Sequence, residues 1–294
     1  MDFYDVTCSV VAYHTEASML RRALKCLVNT KLRVKAVVVD NSAAPALKDA
    51  VESLGAEYVF SGENLGFGRG HNIAIRQVAQ RSRFHLVLNP DVYFESGVIE
   101  TLYRLMLANP DFGLMAPRVL FPDGRLQHTC RLLPTPFDLC ARRFLRCTIG
   151  NAFSRRLERA ECRSLDLNKA LSVPFVHGCF LFLRSDALRE IGGFDERIFL
   201  YMEDVDLCRR TFARFKVIYF PAVSVYHQFE KGSYANRKLM GAHIRSAFYY
   251  FQKWGWFFDV SRRRINRETL EQKGESCEKM LDLAKVGCHS ADKL

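Results

Sequence analysis

Glu203 and Asp204 stand side by side near the end of the run Gly193-Phe-Asp-Glu-Arg-Ile-Phe-Leu-Tyr-Met-Glu-Asp-Val-Asp-Leu-Cys208, where an aromatic loop gives way to a helical pattern. Paired carboxylates at such a place can take a proton from a reacting hydroxyl, and they also suit the positive end of a helix dipole. Other residues must choose between the two readings. Asp40 closes the apolar run Val37-Val-Val and is followed by Asn-Ser, while Asp91 closes Leu86-Val-Leu-Asn-Pro. An acid beyond a strand can hold a ribose hydroxyl or the ring N–H of uracil or thymine, or it can cap the turn. Asp91 can ligate Mg²⁺ or Mn²⁺ on a diphosphate, or serve an Asn-Pro-Asp turn. His227 ends Val223-Ser-Val-Tyr226; a histidine beside oxygen ligands suits Mn²⁺ as well as Mg²⁺.

The segment Glu63-Asn-Leu-Gly-Phe-Gly-Arg-Gly-His-Asn72 opens a helical pattern. Its glycines are spaced by two, so it is not the dinucleotide fingerprint, and it lacks the P-loop lysine. Such a loop can bring backbone N–H groups to a phosphate at a helix N-terminus, or it can simply turn the chain.

These residues need a scaffold that sets strand ends beside helix starts. Val6–Ala12, Val34–Val39, Glu57–Phe60 and Phe84–Leu88 read as strands. Ala17–Leu27, Pro45–Leu54, Gly70–Gln80 and Gly97–Ala108 read as helices between and after them. That alternation predicts an α/β fold with a mostly parallel sheet covered on both faces, and ligands beyond the carboxyl ends of its strands. Later, Val173–Leu183 reads as a strand interrupted by His177-Gly178, Asp204–Phe212 as a helix, and Val217–Phe220 and Ala222–Tyr226 as two short strands. Residues 137–165 read as a basic insertion. Helices resume near Arg237 and run to about Phe258, and the polar tail after Arg267 reads as a loosely held helix.

Composition narrows the class. The chain has 294 residues, 49% hydrophobic and 26% charged, as in soluble globular proteins. No apolar run is long enough for a membrane span. The start, Met-Asp-Phe-Tyr-Asp, lacks the basic and apolar regions of a signal peptide, so a cytosolic location is expected. Ten cysteines without a Cys-x-x-Cys pair argue for reduced thiols rather than zinc or disulfides. The net charge of +11 is concentrated in Arg142–Arg163 and Arg237–Arg267; the second stretch carries Phe248, Tyr249, Tyr250, Phe251, Trp254, Trp256, Phe257 and Phe258. Basic residues among aromatics suit an anionic membrane surface. No nucleic-acid module is visible, so no nucleic-acid partner is expected.

In their order, Val-Val-Asp-Asn-Ser, Asn-Leu-Gly-Phe-Gly with Asn72, Leu-Asn-Pro-Asp, Gly-Gly-Phe-Asp-Glu with Tyr-Met-Glu-Asp-Val-Asp-Leu-Cys, and His227 resemble family 2 of the glycosyltransferases, most of all the bacterial rhamnosyltransferases of O-antigen and cell-wall assembly. The resemblance covers about residues 5–260. It implies a GT-A, Rossmann-like domain over 1–235, with a nucleotide-sugar half to about 120, an acceptor half from 121, and a helical, basic, membrane-associating extension over 236–294. It implies that Asp40, Asn64, Gly66, Phe67, Gly68, Asn72 and Asn89 meet the nucleotide sugar, that Asp91 and His227 hold Mg²⁺ or Mn²⁺, and that Asp204 is the base with Glu203 as the alternative. His177, Gly178 and Cys179 would face the acceptor. Asn89 replaces the first acid of the family's Asp-x-Asp motif, which leaves the metal less charge. Positive charge from Arg69 or Arg142–Arg163 would hold diphosphate groups. The expected reaction is inverting transfer of L-rhamnose from dTDP-L-rhamnose to a lipid-linked saccharide at the cytoplasmic face of the membrane. Alternatives are a UDP-sugar donor such as UDP-galactofuranose, or a nucleotide-sugar-binding protein without turnover.

Overall fold

The computed structural model describes residues 3–144, 151–228 and 237–291. Arg146 of the basic insertion and residues 236 and 292–294 of the extension lie outside the described residues. The strands are β1 (Tyr4–Ala12), β2 (Val34–Asp40), β3 (Glu57–Phe60), β4 (Ser82–Leu88), β5 (Val92–Phe94), β6 (Phe112–Leu120), β7 (Cys130–Arg131), β8 (Leu171–Ser172), β9 (Phe175–Val176), β10 (Phe180–Arg184) and β11 (Lys216–His227). The helices are α1 (Ala17–Val28), α2 (Lys48–Glu52), α3 (Phe67–Val78), α4 (Val98–Ala108), α5 (Pro136–Phe144), α6 (Asn151–Ala160), α7 (Ser185–Ile191), α8 (Glu203–Phe212), α9 (Arg237–Trp254), α10 (Val260–Glu271) and α11 (Cys277–Ala291).

The main sheet has the order β3-β2-β1-β4-β10-β6-β11-β5, with β8 also on β11, and β7 and β9 form a separate ribbon. The pairings give β3, β2, β1, β4, β6 and β11 one direction, against β10, β5 and β8. The apolar runs of β1 and β4 occupy its centre because both faces there are covered. Phe84, Leu86 and Leu88 enter one core with Leu20, Leu24, Leu102 and Met106; Val87 enters the other with Leu207, Tyr250 and Ile265.

Several elements depart from the sequence expectation. The run Val173–Leu183 is two strands, β9 in the ribbon and β10 in the main sheet, because the chain turns at His177-Gly178 between them. β6 was hidden by Gly113 and Pro117, both poor strand formers; β10 pairs it only at Leu114 and Met115, short of the proline. The two short strands near 220 are one strand, β11, whose register against β6 shifts between Phe220 and Ser224, around Pro221. The tail helix α11 is docked, with Met280 and Ala284 buried in the core that α4 also lines.

The extension is bound by buried charge as well as apolar contact. Asp206 is fully buried and accepts from Trp254 Nε1 (2.8 Å), Lys253 Nζ (2.7 Å) and Arg210 Nε (2.7 Å). Arg209 pairs with Asp259 at 2.8 Å, both nearly inaccessible to water. Tyr250 and Phe251 of α9 are buried with Ile265 of α10 in the second core. Among the described residues the cysteines are free. No described helix is long and apolar enough to cross a membrane.

Candidate active site

Strands running one way place their carboxyl ends on one edge, so β2, β4 and β11 deliver Asp40, the Asn89–Asp91 turn and His227 to the same side. β11 then pairs with β5, setting His227 opposite Val92 and beside Asp91. The His227 Nε2 to Asp91 Oδ2 distance is 3.2 Å. The other ring nitrogen, Nδ1, lies 3.1 Å from Gln127 Oε1, and Gln127 Nε2 donates to the His227 carbonyl at 2.7 Å. Burial works against a charged imidazole here, but Cys179 and Asp91 beside the ring outweigh it and raise the His227 pKa to about 10. Asn89 Oδ1 and Asp91 Oδ1 are buried acceptors without a hydrogen-bond partner.

Helix α8 reaches this edge through an unusual turn. Tyr201 (φ 62°) and Met202 (φ 73°) are successive non-glycine residues in the left-handed region, a conformation that costs about 1–2 kcal/mol per residue. The turn swings Glu203 and Asp204 into place. Asp204 Oδ2 accepts the Gly178 N–H at 3.0 Å, and Oδ1 accepts the Val205 N–H at 2.8 Å. A Cβ at Gly178 would stand 3.1 Å from that of Asp204, so glycine permits this approach. One residue on, the Cys179 carbonyl accepts the Asn89 N–H at 2.9 Å. A short covalent and hydrogen-bonded path, Asp204–Gly178–Cys179–Asn89–Asp91–His227, thus links residues from four parts of the chain.

The two α8 carboxyls differ. Burial raises the Asp204 pKa to about 6, while the N–H groups of Gly178 and Val205 and the charge of Arg131 hold it down. Glu203 is 5% exposed, and its Oε2 has no partner. Burial, then the neighbouring Asp204 charge, push Glu203 well above the carboxylate range. At neutral pH Asp204 is therefore the more readily ionised of the two, and Glu203 the neutral one.

The remaining predicted residues fall around this centre. Asp40 is fully buried; its carboxylate accepts from the Ser42 N–H (3.0 Å) and the Tyr58 hydroxyl (2.7 Å). The glycine-rich segment differs from the phosphate-loop expectation. Asn64 Oδ1 takes the Gly66 N–H at 3.0 Å, and the Phe199 carbonyl takes the Phe67 N–H at 3.2 Å, so two N–H groups at the start of α3 are already used. Gly66 has φ 81°, and a Cβ there would collide with the Phe199 carbonyl. Gly68 packs on Phe194 and Gly70 on Val11. Asn72 is a brace: its amide exchanges hydrogen bonds with the Phe194 backbone (2.9 Å each way) and also donates to Glu196. Arg69 is paired with Glu196 at 3.9 Å. His177 Nε2 receives Arg131 Nε at 2.7 Å, and Arg131 also binds Glu161 at 3.1 Å.

Sequence reasoning missed Arg131, Glu161 and Asp206. A charge inside the apolar run Cys130–Leu133 was the available signal for the first. Asp206 lay in plain view as the third acid of Glu-Asp-Val-Asp, but nothing local showed that it faces Trp254.

Comparison with known proteins assigns the family and the fold. The chain is 28% identical over 237 residues to the N-acetylglucosaminyl-diphospho-decaprenol L-rhamnosyltransferase of Mycobacterium tuberculosis, covering 76% of each chain. It is 23% identical over 257 residues to rhamnosyltransferase WbbL of Escherichia coli, covering 83% of this chain and 92% of that one. Its fold is similar to a mannosyltransferase from Pyrobaculum calidifontis solved with GDP-Man and Mn²⁺, with TM-score 0.58 and 18% identity over 99% of this chain and 76% of the other. That likeness makes the fold GT-A. The sequence pattern of "Glycosyl transferase family 2" matches residues 8–192. The chain therefore belongs to glycosyl transferase family 2 and is a glycosyltransferase.

Proposed function

We propose that the protein transfers L-rhamnose, with inversion, from dTDP-L-rhamnose to a hydroxyl of a lipid-diphosphate-linked saccharide, at the cytoplasmic face of a bacterial membrane during surface-polysaccharide assembly. The rhamnosyltransferase relatives, one named for a diphospho-decaprenol substrate, support the sugar and the acceptor class. The observation that carries the chemistry is the path joining Asp204 to Asp91 and His227 along one sheet edge.

In this reading Asp204 accepts the proton of the attacking hydroxyl as the glycosidic bond forms, since a neutral hydroxyl is a poor nucleophile. Gly178 and Val205 fix the carboxylate through their N–H groups, and Glu203 stays neutral beside it. His177 and Arg131 flank Gly178 on the acceptor side. Asp40 holds the base or ribose of the nucleotide, and the Asn64–Gly68 turn lines the donor side, braced by Asn72.

The residues fit a divalent cation. Asn89 and Asp91 each leave a buried oxygen unpaired, and His227 adds an imidazole beside them. Among the described residues no group of three or more His, Cys, Asp or Glu gathers, so substrate oxygens would complete the shell. Held there, Mg²⁺ or Mn²⁺ supplies charge neutralisation for a departing nucleoside diphosphate.

The test is a thermal-shift panel of dTDP-, UDP- and GDP-sugars with and without Mn²⁺, followed by a transfer assay on a prenyl-diphosphate saccharide. A bound donor raises apparent stability by mass action. Stabilisation by dTDP-L-rhamnose and transfer of its sugar are expected. Transfer from a UDP-sugar instead would move the donor assignment, and nucleotide binding without any transfer would mean a binding protein.

A further inference from the structure

The corner between α9 and α10 carries apolar side chains that no described residue covers. Phe258 is 90% exposed, Val260 77% and Phe257 68%. Ile244 and Phe248, one turn apart on α9, are also exposed. The Trp256 ring lies 5.3 Å from that of Phe248 and 5.4 Å from that of Phe251, joining the α9 stripe to the corner.

The corner is held rigidly in this outward form. Arg262 is buried and donates to the carbonyls of Trp256 (3.1 Å), Pro134 (3.4 Å) and Gly255 (3.5 Å). Asp259, also buried, caps α10 by accepting the Arg262 N–H at 2.8 Å and pairs with Arg209. Arg263 donates to the Phe257 carbonyl at 3.2 Å. A buried ionic frame therefore presents two adjacent phenyl rings to the outside, where an ordinary loop would fold them inward.

The charge beside them has one sign. Arg245, Arg263, Arg264 and Arg267 are exposed, and no described side-chain ion pair involves them. Between residues 237 and 267 the lone acid is Asp259, which is buried and paired. A convex aromatic tip ringed by arginines matches the interfacial layer of an anionic bilayer, where rings sit at headgroup depth and guanidinium groups meet phosphates.

We propose that the α9–α10 corner is a membrane wedge: Phe257, Phe258 and Val260 enter an anionic bilayer surface while Arg263, Arg264 and Arg267 engage its phosphates. The other part of α9 reaches the active site, where the His243 ring lies 4.8 Å from that of Tyr201, in the turn that leads to Glu203. A bilayer on the wedge thereby lies alongside the helix that borders the catalytic turn. The inference extends the proposed reaction, and its test needs neither donor nor acceptor.

The full chain is floated with phosphatidylcholine vesicles with and without phosphatidylglycerol, beside Phe257→Ser/Phe258→Ser/Val260→Ser and Arg263→Gln/Arg264→Gln/Arg267→Gln variants. Near-UV circular dichroism of each variant checks its fold. Wild type is expected to float with the anionic vesicles, with each triple variant binding about tenfold or more weakly. The two tryptophans of the chain, one of them Trp256, report directly: nitroxide-labelled lipids should quench wild-type emission, which decides the matter even if a variant misfolds. Equal flotation of folded variants, or no quenching, overturns the wedge. So does a wild-type dimer that the serine variant converts to monomer without any vesicle binding, which would make the corner a self-association surface.

Discussion

Replacing Asp204 with asparagine should inactivate the protein without weakening it. Raising the Asp204 pKa from 3.8 to about 6 means that keeping this carboxylate ionised at neutral pH costs about 3 kcal/mol of folding stability. The neutral amide of Asp204→Asn would remove that cost. Its carbonyl oxygen keeps one of the bonds from Gly178 and Val205, but its NH₂ faces the other N–H, a loss of about 1–3 kcal/mol. The difference lies between no change and a gain of about 2 kcal/mol, or up to several degrees in Tm at about 2–4 °C per kcal/mol. Transfer should fall about 10²–10⁴-fold, the usual worth of a general base. The pH dependence gives a second handle. A carboxyl whose folded pKa is raised favours folding in its neutral form, so wild type should gain stability from this group as pH falls from 7 toward 5. The variant lacks that gain, so the stability difference between the two should move in favour of wild type as pH falls. Thermal unfolding at pH 7.5 and 5.5, with single-turnover transfer, tests both. An asparagine variant that unfolds several degrees below wild type at pH 7.5, or one that retains its rate, would refute the electrostatic account of Asp204.

Other outcomes follow from the same geometry. Glu203→Gln should leave the acid limb of kcat/KM in place, set by Asp204 near 6, because Glu203 is already neutral there; a moved limb in the pH profile would make Glu203 the base. Gly66→Ala should destabilise by about 2 kcal/mol or more, since it adds a collision with Phe199 to the strain of φ 81°, whereas Gly97→Ala (φ 94°, open space) should cost about 1 kcal/mol; equal losses in urea unfolding would contradict the packing account. Mn²⁺ binding should release a proton at pH 7.5, because His227 holds one up to about pH 10 and must lose it to ligate; calorimetry in buffers of different ionisation enthalpy reads this directly, and no buffer dependence would remove His227 from the metal site. Asp206→Leu should cost about 3 kcal/mol, because Trp254 and Arg210 lose a buried carboxylate and Lys253 keeps only Asp195; a loss below about 1 kcal/mol in urea would show the pairs to be dispensable.

Much of this arrangement was legible because it is local. Apolar runs that end in an acid mark strands and their carboxyl edges, so Asp40 and Asp91 could be expected on one side of a sheet from spacing and fold class, while His227 was set beside them by the family resemblance. What escaped was set by contacts distant in sequence. The glycines at 66, 68 and 70 left a phosphate loop and a plain turn both open, because the sequence does not show Phe199, Phe194 and Val11 pressing on them. Asn72 was expected at the donor through the family resemblance, and its bracing of Phe194, some 120 residues away, had no local sign. The left-handed pair Tyr201–Met202 left no trace, since neither residue type favours that conformation. α11 read as a helix but a loosely held one, because its apolar face, Met280 and Ala284, is small and acquires meaning only against α4.

Helix α8, ten residues long, carries Glu203 and Asp204, the acids of the proposed reaction, on its first turn and, through Asp206 and Arg209, anchors the extension after residue 236. Cutting the protein at that apparent boundary, or grafting on a foreign tail, would strip partners from a buried acid within a turn of Glu203 and Asp204. Chimeras built from relatives should therefore exchange α8, α9 and α10 as one cassette.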